Sequence, residues 1–196
     1  MIKAGVTGGI GSGKSVVSRL LEMSGVPVYR ADDESKRLTE TSPAIRSGLQ
    51  ALFGNEIYTD KGLDRKRLAS SIFTDEHLLR KVNAIIHPVV TEDFNKWTKS
   101  CQSNVCAMES AIIYEAGLEK NFDLVLMVFA PVALRLTRAM QRDNASEAEI
   151  IRRMNRQMPD ELKRSKADYL VINDDMQALM PQIEQFIIYL QNERRD

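Results

Sequence analysis

Cysteine is scarce, net charge is absent, and no long apolar run exists in this chain of 196 residues. Each absence removes a class of explanation. Two cysteines, Cys101 and Cys106, match no zinc-binding spacing, and no further cysteine is present to complete one. A bridge between them would close a very short loop, so the sequence leaves two readings open: that short disulfide, or two partly buried thiols of a reducing compartment. Lysine plus arginine equals aspartate plus glutamate at 27 each, so no global basic field argues for nucleic acid. No apolar stretch approaches the ~20 residues that span a bilayer. The first residues run straight into a strand and a glycine loop without a basic leader, which gives the expectation of a cytoplasmic protein. Internal repeats and low-complexity tracts are also missing.

What remains is the profile of a folded α/β protein. Hydrophobic residues at 43% and charged residues at 28% suit a globular core, and the length suits one domain with a small inserted lobe. Short apolar runs alternate with helical patterns. Ile2 to Val6, Val26 to Tyr29, Val105 to Met108, Leu124 to Phe129 and Tyr169 to Ile172 read as strands. Two of them, 105–108 and 124–129, are nearly continuous rather than alternating, as in parallel strands covered on both faces. Helical periods follow at 14–23 and from about Met176 to Asn192. The expectation is therefore an α/β fold, a parallel five-stranded sheet with helices on both faces.

More than seventy residues between the second and third strands show no convincing strand. They read as helices over 43–53 and 65–73, a turn-rich excursion over 55–62, and a long helix over 75–99 that Pro88 bends or interrupts. The division expected is a nucleotide-binding core of residues 1–31 and 104–196 around an inserted helical lobe of 32–103. A charged helical segment, Pro131 to Met158, follows the fourth strand, and a lid is expected over 135–160.

One motif dominates. Gly8, Gly9, Ile10, Gly11, Ser12, Gly13, Lys14 and Ser15 fit G-x-x-x-x-G-K-[ST] at every fixed position, between a strand and a helix that continues through Val16. At ordinary residue usage a chance match in a chain this long has odds of roughly 1%. Glycines let successive N–H groups turn inward on phosphate oxygens, and the helix start adds its positive dipole end. Lys14 then reaches the β- and γ-phosphates, and the Ser15 hydroxyl completes a magnesium shell. The motif thus implies a nucleoside triphosphate, ATP, carried with Mg2+ and no tightly bound organic cofactor. A guanine-reading Asn-Lys-x-Asp is absent, which argues against a GTP switch.

Three further features fit phosphoryl transfer. Asp32 and Asp33 follow the second strand, where a carboxylate can deprotonate an acceptor hydroxyl or hold a magnesium-bound water. The plainer reading is that one of them caps a helix starting at Glu34. Arg135, Arg138 and Arg142 share one helix face, and Arg152, Arg153 and Arg156 follow on the next helix. That face reads either as a solvated charged surface or, since acidic partners are sparse on it, as a lid in which Arg138 and Arg142 stabilise the transferring group. His87 before Pro88 reads, on residues alone, as a packed core histidine.

Taken in order, these segments resemble one family. Val6-Thr7-Gly8-Gly9-Ile10-Gly11-Ser12-Gly13-Lys14-Ser15 is similar to the start of dephospho-CoA kinases. Ala31-Asp32, Asn83-Ala84-Ile85-Ile86-His87-Pro88, Ile113-Tyr114-Glu115, Arg138 to Asp143, Gln157, and Ala167-Asp168 through Asn173 resemble later family segments in the same order. The resemblance implies a P-loop kinase fold of the nucleoside-monophosphate-kinase type. It also implies transfer of the γ-phosphoryl of ATP to the ribose 3′-hydroxyl of dephospho-CoA. Within it, Asp32 is the base, Lys14 and Arg138 serve catalysis, Arg142 and Asn173 contact ATP, and Asp32, Lys36, His87 and Glu115 belong to the acceptor side. Metal contacts fall to Ser15, with Asp32 and Glu109 acting through water. Four positions depart from the pattern: Arg30 replaces the first acid of Asp-Ala-Asp, Lys36 an arginine, and Glu109 and Ala111 an aspartate and a proline. Other small-molecule kinases, such as those acting on nucleoside monophosphates, and a non-catalytic ATP-binding module are the alternatives. The partners expected are ATP and dephospho-CoA, with no nucleic acid or membrane, in a monomer or weak homo-oligomer.

Overall fold

Five apolar runs at the two ends of the chain assemble into one parallel sheet in a computed structural model that describes residues 1–192. In chain order the elements are β1 (Ile2–Thr7), α1 (Lys14–Met23), β2 (Val28–Arg30), α2 (Ala31–Thr41), α3 (Pro43–Phe53), β3 (Tyr58–Thr59), β4 (Gly62–Leu63), α4 (Arg65–Thr74) and α5 (Glu76–Ser100). Then follow β5 (Val105–Glu109), β6 (Leu124–Phe129), α6 (Val132–Asp143), α7 (Glu147–Met154), α8 (Asp160–Lys166), β7 (Tyr169–Ile172) and α9 (Leu179–Asn192). The chain divides into two units, one of Met1–Arg30 with the chain from Cys101 onward, the other Ala31–Ser100.

In the first unit the strands lie in the order β2-β5-β1-β6-β7, every neighbouring pair parallel. From β1 the chain moves to β2 on one side, and from β5 it crosses to β6 on the other. Such a reversal leaves a crevice at the carboxyl ends of the strands. Register puts Val6 and Arg30 opposite Glu109 at that end.

The alternation of strand side chains separates the two faces. Ala4, Val6, Leu126, Val128 and Val171 pack with Val17 and Leu21 of α1 and Ile183 and Phe186 of α9, all fully buried. Truncating a ring such as Phe186 in a core of this kind costs about 3–5 kcal/mol. The other face carries Val125 under Ile113, Tyr114, Leu118, Phe122 and Met158. Gly5 faces this second cluster, and a side chain there would meet Ile113 at 2.9 Å. The sheet is thus covered on both faces, as the continuous apolar runs imply.

The second unit is helical. Ser42 caps α3 with Pro43 at its first position. Ile45 and Leu49 of α3 are fully buried, as is Phe94 of α5. Gly48 lets α3 approach α5, since a Cβ there would lie 2.8 Å from Ile85. Tyr58 donates its hydroxyl to the Thr39 carbonyl at 2.7 Å beneath Arg46.

Three elements differ from expectation. The short hairpin β3–β4 occupies the excursion that shows no strand pattern, because two-residue strands are too short to display a period. α5 runs through Pro88 without a break, held by buried Val82, Val90 and Phe94 on either side. The segment after β6 holds two helices, as the placing of Arg152, Arg153 and Arg156 on a separate helix implies. Asn144, left-handed at φ 48°, ends α6, and a reciprocal Ser146–Glu149 capping box starts α7. α2 begins at Ala31, three residues before Glu34, so neither Asp32 nor Asp33 caps it. No helix among the described residues is long and apolar enough to cross a membrane.

Candidate active site

The loop between β1 and α1 folds as its glycines require. Gly11 and Gly13 have φ of 78° and 90°, in the left-handed region that a Cβ disfavours. Ser12 N–H closes a turn on the Gly9 carbonyl at 3.1 Å, and α1 opens on Gly13 with no side chain capping it. An uncapped helix start presents N–H groups and a positive dipole end to an anion. Lys14 Nζ lies over the loop, donating to the carbonyls of Gly8 at 3.0 Å and Gly9 at 3.3 Å. The hydroxyls of Thr7 and Ser12 are buried without a hydrogen-bond partner. Buried hydroxyls without partners are costly unless a ligand completes them. The loop therefore has the cradle, the lysine and the orphaned hydroxyl that a triphosphate site needs.

The arginine face packs against this loop, but its charges are not short of acids. Arg135 pairs with Asp160 at 2.5 Å, Arg138 with Asp175, and Arg142 with Asp143 at 2.7 Å. The acids arrive from beyond the helix face or from the next residue, so a face-by-face count misses them. Arg138 also donates to the Asn173 carbonyl at 3.1 Å. Arg142 remains largely exposed on its outer side. Its guanidinium, with that of Arg153, pulls the Asp143 carboxyl down to about 2. Asn173 is buried and braces the loop, donating Nδ2 to the Ser12 carbonyl at 2.8 Å.

The remaining site residues fall into two groups. In the first unit, Glu109 ends β5 opposite Val6 and Arg30. Arg30, standing where the related pattern has an acid, turns to Glu22 of α1 at 2.8 Å. Glu115 accepts Met158 N–H and the fully buried Lys163 ammonium, each at 2.8 Å, so its carboxylate is engaged within the fold. Lys163 also donates to the Ala111 carbonyl at 2.7 Å. In the second unit, Asp32 is exposed in the first turn of α2 with no hydrogen bond or ion pair among the described residues. Its neighbour Asp33 pairs with Lys36 at 3.0 Å. His87 is half-buried in α5, and burial alone pushes its imidazole below the ordinary range. Asp160 and Lys163 have no periodic or motif signal of their own, whereas Gln157, which accepts the Ile10 N–H at 2.8 Å, is part of the family resemblance. Only the helix start after Pro159 points to Asp160.

A family profile described as dephospho-CoA kinase matches residues 2–178. The chain belongs to the dephospho-CoA kinase family. A dephospho-CoA kinase of Bacteroides fragilis is 47% identical, covering 96% of this chain and 93% of its own. One of Porphyromonas gingivalis is 43% identical over 99% and 96%. A crystal structure from Thermus thermophilus matches at TM-score 0.84 and 31% identity, covering 98% of this chain and 97% of its own. Family membership accounts for the ordered motif set as a whole, the glycine loop, the His87-Pro88 segment and the arginine-bearing α6 together.

Proposed function

We propose that the protein phosphorylates the ribose 3′-hydroxyl of dephospho-CoA with ATP, giving coenzyme A and ADP, the last step of coenzyme A synthesis. The observation that carries this reading is the uncapped glycine loop with Lys14 over it, in a chain of the dephospho-CoA kinase family. In the proposed reaction the 3′-oxygen attacks the γ-phosphorus, the bond from that phosphorus to the β–γ bridging oxygen breaks, and the hydroxyl proton passes to a carboxylate. Asp32 is the base in this scheme: it follows β2 by two residues and has no competing partner. Lys14 shifts from the loop carbonyls to the β- and γ-phosphates as ATP enters. Arg138, which also braces Asn173, and Arg142, exposed at the end of α6, stabilise the transferring group, and Arg142 and Asn173 contact ATP. Lys36 and His87 contribute to the acceptor side, and Glu115 reaches it only by leaving Lys163.

Magnesium fits the site as a partner of the nucleotide. Among the described residues no cluster of three or more histidine, cysteine, aspartate or glutamate side chains is arranged for a metal. The Ser15 hydroxyl would hold the ion directly and Asp32 and Glu109 through water, with phosphate oxygens and water completing its shell. Bound there, the ion neutralises charge on the β- and γ-oxygens. The two thiols, both free, suit a reducing cytoplasm as the place of action.

An ADP-release assay with dephospho-CoA, AMP and other small hydroxyl acceptors tests the proposal. Dephospho-CoA should be consumed at least ~100-fold more efficiently than the others, a ratio within reach of a site that hydrogen-bonds its acceptor. Faster turnover of a different acceptor overturns it.

A further inference from the structure

Arg135 and Asp160 are the most deeply buried ion pair in the lid segment, their side chains 7% and 9% exposed at a separation of 2.5 Å. The pair lies against the phosphate loop from the side on which loop side chains would project. A Cβ built on Gly9 would fall 1.5 Å from an Arg135 Nη and 3.1 Å from Asp160 Oδ1. A Cβ on Gly11 would fall 2.2 Å from the Arg135 carbonyl oxygen. Between them, Ile10 donates its N–H to Gln157 Oε1 at 2.8 Å. Three consecutive loop residues are thus held by α6 and by the connection from α7 to α8.

We propose that Arg135 and Asp160, assisted by Gln157, are positioning residues that set the affinity for ATP by fixing the outer wall of the phosphate loop. The inference rests on the ATP reading of the loop and is independent of the acceptor. A pair kept for stability alone would be a poor choice here. Both ions give up hydration, and Arg135 Nε is buried with no hydrogen-bond partner. Burial lowers the Arg135 guanidinium and raises the Asp160 carboxyl, with Arg135 and Lys163 pulling the latter back. Apolar groups of similar volume commonly replace such pairs without loss of stability. What they cannot reproduce is a planar fork laid over Gly9 and anchored by a carboxylate.

The test compares wild type with Arg135→Lys and with Arg135→Met combined with Asp160→Leu. Thermal midpoint, calorimetric binding of a non-hydrolysable ATP analogue, and KM for ATP and for dephospho-CoA are measured on each. The double variant should melt within about 3 °C of wild type or above it, while analogue affinity falls about tenfold or more. KM for ATP should rise in parallel, and KM for dephospho-CoA should change less than about threefold. Arg135→Lys, which keeps the charge but not the fork, should stay folded and weaken the analogue by about fivefold. Analogue affinity within twofold of wild type in either folded variant overturns the proposal. So does a double variant that fails to fold, which would make the pair a staple of the fold. Analogue binding needs no acceptor, so a wrong acceptor leaves this result untouched. A wild type that does not bind the analogue refutes the ATP reading and the clamp with it.

Discussion

Replacing Gly13 by alanine would load one position with two separable penalties. The residue sits at φ 90°, where an alanine loses about 1–2 kcal/mol to left-handed backbone strain. Its new Cβ would also fall 2.1 Å from Asn173 Nδ2, which at present donates to the Ser12 carbonyl at 2.8 Å. The amide must move by more than an ångström, and a buried bond left unmade costs about 1–3 kcal/mol. Together that is about 2–5 kcal/mol, a fall in melting temperature of roughly 5–15 °C for a chain this long. Displacing the loop by even about 2 kcal/mol weakens ATP binding roughly 30-fold. Gly25 supplies the control: it is left-handed at φ 85°, but a Cβ there meets nothing within 4 Å. Gly25→Ala should therefore lose only the strain, with ATP binding unchanged. Adding Asn173→Ala to Gly13→Ala removes the collision, so the double variant should be about 1–2 kcal/mol more stable than additivity predicts. Urea unfolding and nucleotide titration of wild type, Gly13→Ala, Gly25→Ala, Asn173→Ala and the double variant read these values. A Gly13→Ala protein no less stable than Gly25→Ala, or one binding ATP within twofold of wild type, refutes the reasoning.

Asp32→Asn removes the proposed base from an exposed helix turn, so turnover should fall about 100-fold or more while ATP binding and stability stay near wild type; near-normal kcat would return Asp32 to a surface role. The His87 imidazole is held below its ordinary range by burial, so the unfolded chain takes up the proton first. Its contribution to stability is full above about pH 6.5 and is lost as pH falls from there toward the folded value. Urea midpoints between pH 7.5 and 5 should show this loss, His87→Leu should flatten that part of the profile, and an unchanged profile contradicts it. Burial pushes the Cys106 thiol up to about 11, and Cys106 is fully buried while Cys101 is not. Alkylation of the native protein at pH 8 should mark Cys101 at least about tenfold faster, the difference vanishing in urea; equal native rates rule this out.

The sheet was legible because its strands are buried on both faces and so appear as continuous apolar runs. The 124–129 and 169–172 strands match their sequence bounds, as does the helix over 14–23. The loop was legible because phosphate binding fixes residue types at fixed spacing. The β3–β4 hairpin was not, since its form depends on Glu40 accepting the Leu63 N–H at 3.0 Å from a distant helix. That two helices follow β6 was legible in the arginine spacing, while the exact break lies in Ser146 and Glu149, three residues apart inside a charged run. The arginine face was seen, yet its partners were not. Asp160 and Asp175 lie 25 and 37 residues from the arginines they bind, and no local pattern connects them. Glu115 carries the family resemblance in sequence, while the lysine it engages gives no motif signal.

The central claim is tested most directly by mass spectrometry with 31P NMR of the product formed from ATP, Mg2+ and dephospho-CoA. The product should carry one added phosphoryl group on the ribose 3′-oxygen, with one ADP released per product. A phosphoryl group on another atom, or ADP release without a phosphorylated acceptor, contradicts the claim.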